Sequence, residues 1–186
     1  MTYDKNYFKD SKLERKHFFD MIVWEDYFNP KNILLVGDGI GHRTYAGTVI
    51  GMIVVGCDFP EVVKQVPYKE IKDRYFEGDI RSIPCVGHSY DLVVAYDVLE
   101  HLENIEDVEK ALKELYRVTN KYVLISVPDI DNPNLTADST HHIKRSRGWW
   151  QYKVRQAYFE ILETPANFIF KEQLIVGVKN DSNGTC

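Results

Sequence analysis

The sequence lacks features that mark several classes of protein. Its three cysteines, Cys57, Cys85 and Cys186, are odd in number and widely spaced, and they form no Cys-x-x-Cys pair. This pattern argues against a disulfide framework and against a thiolate zinc site. The longest apolar runs, at residues 92–96 and 122–127, have only the length of a strand, so we predict no transmembrane helix.

A secretory leader and an excess of positive charge are also missing. The first residues lack the charged and then apolar layout of a secretory signal, so we expect a cytoplasmic protein with no membrane partner. The formal net charge of -5 disfavours a surface that coats nucleic acid. The 186 residues suit one α/β domain. We predict a single domain over residues 1–186, with residues 1–30 as an N-terminal helical cap and residues 180–186 as a loose tail.

A glycine-rich turn follows the first apolar segment. Residues 33–36 predict a strand buried on both faces, and Gly37, Gly39 and Gly41 let the backbone turn sharply into a helix that starts near Ile40. Such a turn directs backbone N–H groups and the positive end of a helix dipole toward a ligand. The spacing fits the dinucleotide pattern Gly-x-Gly-x-x-Gly poorly. We therefore predict a ligand-binding turn that differs from the pyrophosphate-binding type.

Acidic residues follow the next two predicted strands. Asp58, directly after the strand at residues 52–57, suits the two hydroxyl groups of a ribose, or the N-cap of the next helix. Asp79 follows a short strand at residues 75–76. It suits the exocyclic amine of a purine whose face packs on Ile80, or a plain turn aspartate. Both alternatives stay open for each aspartate.

The N-terminal segment predicts an aromatic-rich helix. Ser11 and Glu14 have the spacing of a capping box, and the apolar residues that follow predict packing against the sheet. A functional alternative concerns the aromatic residues ahead of this helix. Tyr3, Tyr7 or Phe8 would then form a lid over the ligand, and Tyr7 would contact the substrate.

Strands and helices alternate along the rest of the chain. A fourth strand at residues 91–96 is followed by a helix that Asn104 caps, and a fifth strand spans residues 122–127. This rhythm predicts a Rossmann-like, doubly wound α/β fold with a mostly parallel sheet of about seven strands. Residues 158–162 and 173–178 predict an antiparallel hairpin at the C-terminal edge. Ligands of such sheets bind at the carboxyl ends of the strands.

Four segments carry a resemblance to a known family. They are residues 33–41 (Ile-Leu-Leu-Val-Gly-Asp-Gly-Ile-Gly), 54–58 (Val-Val-Gly-Cys-Asp), 78–84 (Gly-Asp-Ile-Arg-Ser-Ile-Pro) and 90–102 (Tyr-Asp-Leu-Val-Val-Ala-Tyr-Asp-Val-Leu-Glu-His-Leu). In this order they resemble the motifs of class I S-adenosylmethionine-dependent methyltransferases, in particular the methyltransferase type 11-like branch with small-molecule substrates. The resemblance covers residues 32–127. It implies an enzyme that methylates a small acceptor.

The resemblance implies S-adenosylmethionine as the cofactor. The glycine turn would border its methionyl part, and Asp58 would bind its ribose. Asp79 and Ile80 would hold the adenine, while Ala95 and Tyr96 would form the floor below the sulfonium. The cofactor-binding residues implied in this way are Gly37, Asp38, Gly39, Gly41, Asp58, Phe59, Asp79, Ile80, Ala95 and Tyr96.

Two positions depart from the family pattern. Leu35 stands where family members usually carry an acidic residue, and Asp38 stands where they often carry a small residue or cysteine. This exchange either weakens cofactor binding or moves the acidic role to Asp38. Residues 119–121 also replace the usual Pro-Gly-Gly turn before the fifth strand.

Catalysis by such an enzyme depends mainly on alignment, because a sulfonium methyl group is already activated. Alignment is worth roughly 7 kcal/mol or more of the barrier. A hydroxyl acceptor also gains from a general base. We predict His101 for this role, because it follows the fourth strand, and His142 as the second candidate. Alternatively, His101 only braces its helix.

A polar loop at residues 129–147 supplies candidates for acceptor binding. Its histidines and basic residues, with the aromatic residues that follow, suit an anionic or sugar-like acceptor. A solvated charged surface is the alternative. The substrate-binding residues predicted here are Tyr7, His141, Arg145, Arg147 and Trp149.

Three further possibilities stand beside this prediction. Asp97 with Asp131 and Asn132 offers oxygen ligands for Mg²⁺, but such coincidences are common in loops, and we predict no metal site. Residues 95–98 lack the Asn/Asp-Pro-Pro-Tyr/Phe segment that enzymes acting on nucleic-acid bases share, so no nucleic-acid partner is predicted. A catalytically inactive scaffold or regulatory protein is the non-enzyme alternative. The sequence leaves open the acceptor, the methylated atom and a homodimeric assembly.

Overall fold

The computed structural model describes Phe8, residues 11–131 and residues 138–179. Twelve helices and strands form its framework. They are α1 (Arg15–Phe28), β1 (Ile33–Val36), α2 (His42–Val49), β2 (Val54–Asp58), α3 (Pro60–Val63), β3 (Tyr75–Glu77), β4 (Tyr90–Tyr96), α4 (Ile105–Val118), β5 (Thr119–Ser126), α5 (Arg147–Gln156), β6 (Phe159–Leu162) and β7 (Leu174–Lys179). Two 3₁₀ helices, Lys69–Arg74 and Leu99–His101, precede β3 and α4.

The seven strands form one sheet in the order β3-β2-β1-β4-β5-β7-β6. The first five strands are parallel, whereas β7 is antiparallel to both β5 and β6. The predicted Rossmann-like fold is therefore confirmed, including the antiparallel hairpin at the C-terminal edge. Val36 pairs with Cys57 on β2 and with Ala95 on β4, so the carboxyl ends of these strands lie side by side.

The core has one layer on each face of the sheet. Alternate residues of a strand point to opposite faces, so Leu34 and Val36 pack with α4 and α5, whereas Ile33 and Leu35 pack with α1 and α2. All four residues of β1 are buried. A central parallel strand covered on both faces accounts for this continuous apolar run.

The helix termini confirm one predicted cap and correct another. The side chain of Asn104 accepts a hydrogen bond of 2.8 Å from the backbone N–H of Asp107, as predicted for the start of α4. The predicted capping box of Ser11 and Glu14 is wrong, because α1 begins at Arg15 and Glu14 is itself the N-cap. The Glu14 N–H donates to His17 Nδ1 at 3.0 Å, whereas the Ser11 hydroxyl lies 2.9 Å from His42 Nε2 on α2.

Some predictions concern parts of the chain that the structure does not describe, namely the loose tail at residues 180–186 and the side chain of Tyr7. The single-domain boundaries and the role of residues 1–30 as a cap stay predictions. Within residues 11–131 and 138–179, no helix has both the length and the apolar character that crossing a bilayer requires.

Candidate functional site

The turn after β1 has a backbone that only glycine adopts without strain. Gly37, Gly39 and Gly41 all have positive φ angles, at 72°, 61° and 84°. Space is limiting as well, because a Cβ atom on Gly37 would lie 2.5 Å from a methyl group of Val98. A Cβ atom on Gly39 would lie 2.9 Å from the ring of Phe8. The turn therefore needs glycine for both conformation and close packing.

Asp58 connects the end of β2 to this turn. Its carboxylate accepts one hydrogen bond of 2.8 Å from the N–H of Gly39 and another of 2.7 Å from the N–H of Phe59. Burial raises the pKa of Asp58 to about 7, and the nearby Asp38 carboxylate acts in the same sense. The glycine turn and the second-strand carboxylate thus meet at one edge of the sheet, as the sequence predicts.

A first cavity lies beside this turn. Five of the predicted cofactor-binding residues line it, namely Gly37, Gly39, Asp58, Phe59 and Ile80. The wall also includes Arg81, Asp97, Val98 and His101. The first cavity therefore brings together residues from the carboxyl ends of the four strands β1 to β4 and from the 3₁₀ helix after β4.

Three other predicted cofactor residues have different surroundings. Asp38 turns back toward α2, where its carboxylate accepts hydrogen bonds from the N–H and the hydroxyl of Thr44 at 2.9 and 2.8 Å. Burial raises the pKa of Asp38. Gly41 is the N-cap of α2. The Asp79 carboxylate accepts a hydrogen bond of 2.6 Å from the Arg81 guanidinium.

Arg81 itself links two segments of the chain. Its guanidinium also donates to the Asp107 carboxylate in the first turn of α4, at 2.8 Å. Although burial opposes the effect, hydrogen bonds from Arg81 lower the pKa of Asp79. Asp79 is therefore an ionised partner of Arg81 in this structure, and its role toward adenine stays a prediction.

Ala95 and Tyr96 lie on opposite faces of β4. Ala95 is fully buried in the core layer that contains Val36, on the face of the first cavity. Tyr96 points to the α1 face, where the Arg43 guanidinium lies 4.0 Å from the centre of its ring. Neighbouring strand residues always diverge in this way. The two residues therefore do not form a common floor under one cavity.

A second cavity opens on the Tyr96 side. Its wall includes Lys16, Asp20 and Arg43 from α1 and α2, together with Tyr96, Glu100 and His141. Asp97 and His101 line both the first and the second cavity. These two side chains therefore stand at the junction between the two spaces.

His101 is buried, and hydrogen bonds hold the side chains of both Asp97 and His101. Asp97 has a positive φ of 55°, and its carboxylate accepts a hydrogen bond of 2.5 Å from the Ser126 hydroxyl at the end of β5. His101 Nδ1 lies 2.9 Å from the Thr140 hydroxyl. Burial, with a contribution from His141, lowers the pKa of His101 to about 4. His101 is therefore a neutral imidazole at pH 7.

Glu100 lies beside His101 and is 1% exposed. Neither of its carboxylate oxygens has a hydrogen-bond partner among the described residues, and the same holds for His141 Nδ1. Burial and the neighbouring Asp97 carboxylate raise the pKa of Glu100 well above its usual range, while its own backbone N–H acts in the opposite sense. One ligand atom each from Glu100, His101 and His141 lies within 4.8 Å of the others.

The remaining predicted substrate residues lie away from both cavities. Arg147 donates hydrogen bonds to the carbonyl oxygens of Glu172 and Leu174, the latter at 2.6 Å. Arg145 packs over the ring of Trp149, at 5.6 Å. The structure therefore brings His141 to the second cavity but leaves these basic residues in other contacts.

The second histidine candidate and the residues considered for a magnesium site do not come together in the structure. His142 is exposed and lines neither cavity. Asp131 lines a different groove, next to α5, whereas Asp97 lies at the junction of the two cavities. Asn132 lies outside the described residues. The structure therefore does not assemble Asp97 and Asp131 into a magnesium site.

Sequence reasoning missed several residues of the second cavity. Arg43, which donates to Asp20 at 3.0 Å, lies two residues after Gly41, and this position close to the glycine turn was the sequence feature that could have indicated it. Glu100 directly precedes His101 in the fourth motif, so its position next to the predicted base could have indicated that it belongs to the site. Asp20 and Lys16 lie on α1, and no local pattern marks them as part of a cavity.

Comparisons with known proteins define the class of this fold. Residues 34–125 match the family model described as a methyltransferase domain. A comparison with curated proteins finds no significant match. Among solved structures, the YcgJ protein of Bacillus subtilis is similar with a TM-score of 0.67 at 17% identity, over 88% of this chain and 99% of that one.

Two further structures extend the comparison. Magnesium protoporphyrin IX methyltransferase from Synechocystis PCC 6803, with bound S-adenosylhomocysteine, has a TM-score of 0.68 at 16% identity, over 97% of this chain and 90% of that one. A methyltransferase of Haloferax volcanii, in complex with the activator Trm112, has a TM-score of 0.65 at 16% identity, over 92% of both chains.

The sheet order and the matched domain define a methyltransferase. The chain belongs to the class I S-adenosylmethionine-dependent methyltransferases, as its sequence motifs predict. S-adenosylmethionine is the cofactor of this class.

Proposed function

We propose that this methyltransferase holds S-adenosylmethionine in the first cavity and methylates a small polar acceptor in the second cavity. The observation that carries the proposal is that Asp97 and His101 line both cavities. A methyl group that passes between the two spaces must pass these side chains.

The first cavity suits the cofactor in two respects. The glycine turn itself contributes backbone and no side chain to the wall, and the side chains of Val98 and Phe8 pack so closely on it that Cβ atoms at Gly37 and Gly39 would collide with them. The buried Asp58 carboxylate has a raised pKa, which indicates that it gains from additional hydrogen-bond donors. The ribose hydroxyl groups would supply such donors. Gly37, Gly39, Asp58, Phe59 and Ile80 would therefore hold the cofactor.

The bound cofactor supplies an electrophilic methyl group on sulfur. As the acceptor atom bonds to the methyl carbon and the sulfur–carbon bond breaks, a hydroxyl acceptor must release its proton. His101 is neutral at pH 7 and stands at the junction, so it is placed to take this proton. His142 is exposed and lines neither cavity, which favours His101 over His142 as the base.

The wall of the second cavity favours a polar acceptor over a strongly anionic one. Its cations are already paired, since Arg43 Nε lies 3.0 Å from Asp20 and Lys16 lies 3.1 Å from Glu14. The wall also contains Asp97 and Glu100. A sugar-like or other hydroxyl-bearing molecule would find both donors and acceptors there. The cytoplasmic location and the homodimer considered from the sequence stay predictions.

The test uses S-adenosylmethionine with a labelled methyl group. Calorimetry first measures whether the chain binds S-adenosylmethionine and S-adenosylhomocysteine, and we expect both to bind. Incubation with the small-molecule fraction of a cell extract should then transfer label to a compound of low molecular mass. Binding of neither cofactor form would favour the inactive scaffold instead. Label that appears only in nucleic acid or protein would contradict the proposed acceptor class.

A further inference from the structure

We propose that Glu100, His101 and His141 bind a divalent transition-metal ion in the wall of the second cavity. Two observations point to a ligand here independently. The ligand atoms of the three residues lie within 4.8 Å of one another. Both oxygens of the buried Glu100 carboxylate, and Nδ1 of His141, lack a hydrogen-bond partner in the part of the chain that the structure describes.

A buried carboxylate with no partner is costly, because it has given up its hydration without a replacement. Proteins meet this cost with a hydrogen bond, an ion pair or a metal ion. The side chains beside Glu100 that offer ligand atoms are two imidazoles. A cation held between these groups would satisfy the carboxylate and both histidines at once.

The chain fixes the relative positions of the three residues through its backbone. Glu100 and His101 are consecutive in the 3₁₀ helix after β4. The N–H groups of His142 and Ile143 both donate to the Glu100 carbonyl oxygen, at 2.9 Å each. These two hydrogen bonds tie the loop that carries His141 to the helix that carries the other two residues.

The orientation of His101 is also set by its neighbours. The Thr140 hydroxyl lies 2.9 Å from His101 Nδ1, and the same hydroxyl donates to Asp138 at 2.6 Å. Metal-binding histidines are commonly held in this way through the nitrogen that does not bind the metal. Nε2 of His101 is thereby left for the ion.

The ligand set selects the kind of metal. Two imidazoles and one carboxylate favour zinc, cobalt or iron(II) over magnesium and calcium, which prefer oxygen ligands. Zinc bonds of about 2.0–2.2 Å separate tetrahedral ligands by about 3.4 Å. The observed spread of up to 4.8 Å is wider than this, so side-chain rotations would have to bring the three ligand atoms closer together around a bound ion.

Three protein ligands leave a coordination position open toward the second cavity. A hydroxyl group bound there would lose its proton more readily. Because Nε2 of His101 would then be a metal ligand, His101 would act as the base only in the metal-free enzyme, and in the metal-loaded enzyme the bound hydroxyl group would release its proton to solvent. This role for the metal rests on the proposed methyl transfer, whereas binding of the metal does not. The inference departs from the sequence prediction of no metal site, and it uses other residues than the Asp97, Asp131 and Asn132 considered there.

The test is a zinc titration of the tag-free chain in the absence of any cofactor. The protein is first stripped with a chelator and dialysed, and Zn²⁺ binding is then measured by calorimetry. We expect one Zn²⁺ per chain. Co²⁺ in its place should give visible absorption bands of a site with nitrogen and oxygen ligands.

Three variants separate this site from adventitious binding. Glu100→Gln keeps the size of the side chain, and His141→Ala changes only a loop residue; each should weaken Zn²⁺ binding at least about a hundredfold. His142→Ala is the matched control, because this exposed neighbour lies outside the cluster, and its Zn²⁺ affinity should equal that of the wild type. Circular dichroism and thermal unfolding check that each variant is folded.

The proposal is overturned if the wild-type chain does not bind Zn²⁺, or if Glu100→Gln and His141→Ala bind it as tightly as the wild type. Loss of binding in His142→Ala alone would overturn it as well. Calorimetry with S-adenosylhomocysteine on the same preparations reports separately on the proposed function. Failure of one proposal is therefore distinguishable from failure of the other.

Discussion

The backbone N–H of Gly39 donates a hydrogen bond of 2.8 Å to the carboxylate of Asp58. This bond joins the turn after β1 to the last residue of β2, and it fixes the Asp58 side chain at the wall of the first cavity. The two residues come from separate motifs of the sequence. Their contact shows that the motifs converge on one space.

Asp58 should control cofactor affinity. The Asp58→Asn side chain is uncharged, and its amide N–H₂ group would face the backbone N–H groups of Gly39 and Phe59, which are donors as well. The ribose hydroxyl groups would also lose a carboxylate acceptor. Hydrogen bonds to a charged group are worth about 1.5–3 kcal/mol each, so affinity for S-adenosylhomocysteine should fall by more than about tenfold. Calorimetry measures this. Glu61→Gln, an exposed change in α3, is the control and should keep wild-type affinity. An unchanged affinity in Asp58→Asn would remove Asp58 from the site.

Cofactor affinity should depend on pH through the same residue. Burial raises the pKa of Asp58 to about 7, and hydroxyl donors would lower it again in the complex. Binding therefore releases a proton below pH about 7, so affinity should fall by up to about tenfold for each pH unit below that value and stay level above it. Calorimetry between about pH 5.5 and 8.5 gives the profile. Asp58→Asn should flatten it; the same slope in the variant would assign the effect to another group.

Gly37 should tolerate no side chain. In Gly37→Ala the new methyl group would lie 2.5 Å from Val98, at a φ of 72°, and we expect a loss of about 1–3 kcal/mol in the free energy of unfolding. Chemical denaturation measures the change. Gly148→Ala is the matched control, because no atom lies within 4 Å of its Cβ position in α5, and it should be neutral or slightly stabilising.

The double variant Gly37→Ala, Val98→Ala separates the two causes of the Gly37 effect. Removing the Val98 methyl groups relieves the collision but leaves the backbone strain, so stability should recover only in part. Full recovery would show that the positive φ angle has no cost. If stability does not recover at all, the collision with Val98 must already be relieved by other means in the Gly37→Ala single variant.

His101 and His142 should differ in their effect on turnover. His101→Ala should bind S-adenosylhomocysteine with wild-type affinity within about twofold, yet its kcat should fall by about 10²–10⁴-fold, because the junction loses its proton acceptor. His142→Ala should keep most of the activity, since its side chain is exposed. Steady-state rates with the labelled cofactor give both numbers. Equal rates for His101→Ala and the wild type would reject the assignment.

The order of strands and the glycine turn could be predicted because local patterns determine them. A continuous apolar run marks a central parallel strand, and the positive φ angles at Gly37 and Gly39 explain why glycine follows it. Asp58 was also predictable, because parallel strands bring their carboxyl ends to one edge. These features need no knowledge of distant side chains.

The contacts that were not predicted join residues far apart in the sequence. Arg81 engages Asp79, but it also reaches Asp107, and no local pattern indicates that second partner. The Ser11 hydroxyl meets His42 on α2, so it does not cap α1. Tyr96 is a different case, because the alternation of strand residues already predicts that it faces away from Ala95.

The second cavity was beyond sequence reasoning for the same reason. His141 reaches Glu100 and His101 only because the loop that carries it is tied back by two hydrogen bonds to the Glu100 carbonyl. Nothing in the composition of the loop indicates this return. The sequence alone therefore predicts the cofactor side of the site better than the acceptor side.

A crystal structure of the chain with S-adenosylhomocysteine tests the central claim most directly. We predict that the ribose hydroxyl groups lie within hydrogen-bond distance of the Asp58 carboxylate and that the sulfur atom faces Asp97 and His101 at the junction of the two cavities. A cofactor bound elsewhere, or a sulfur atom that faces away from the second cavity, would contradict the account.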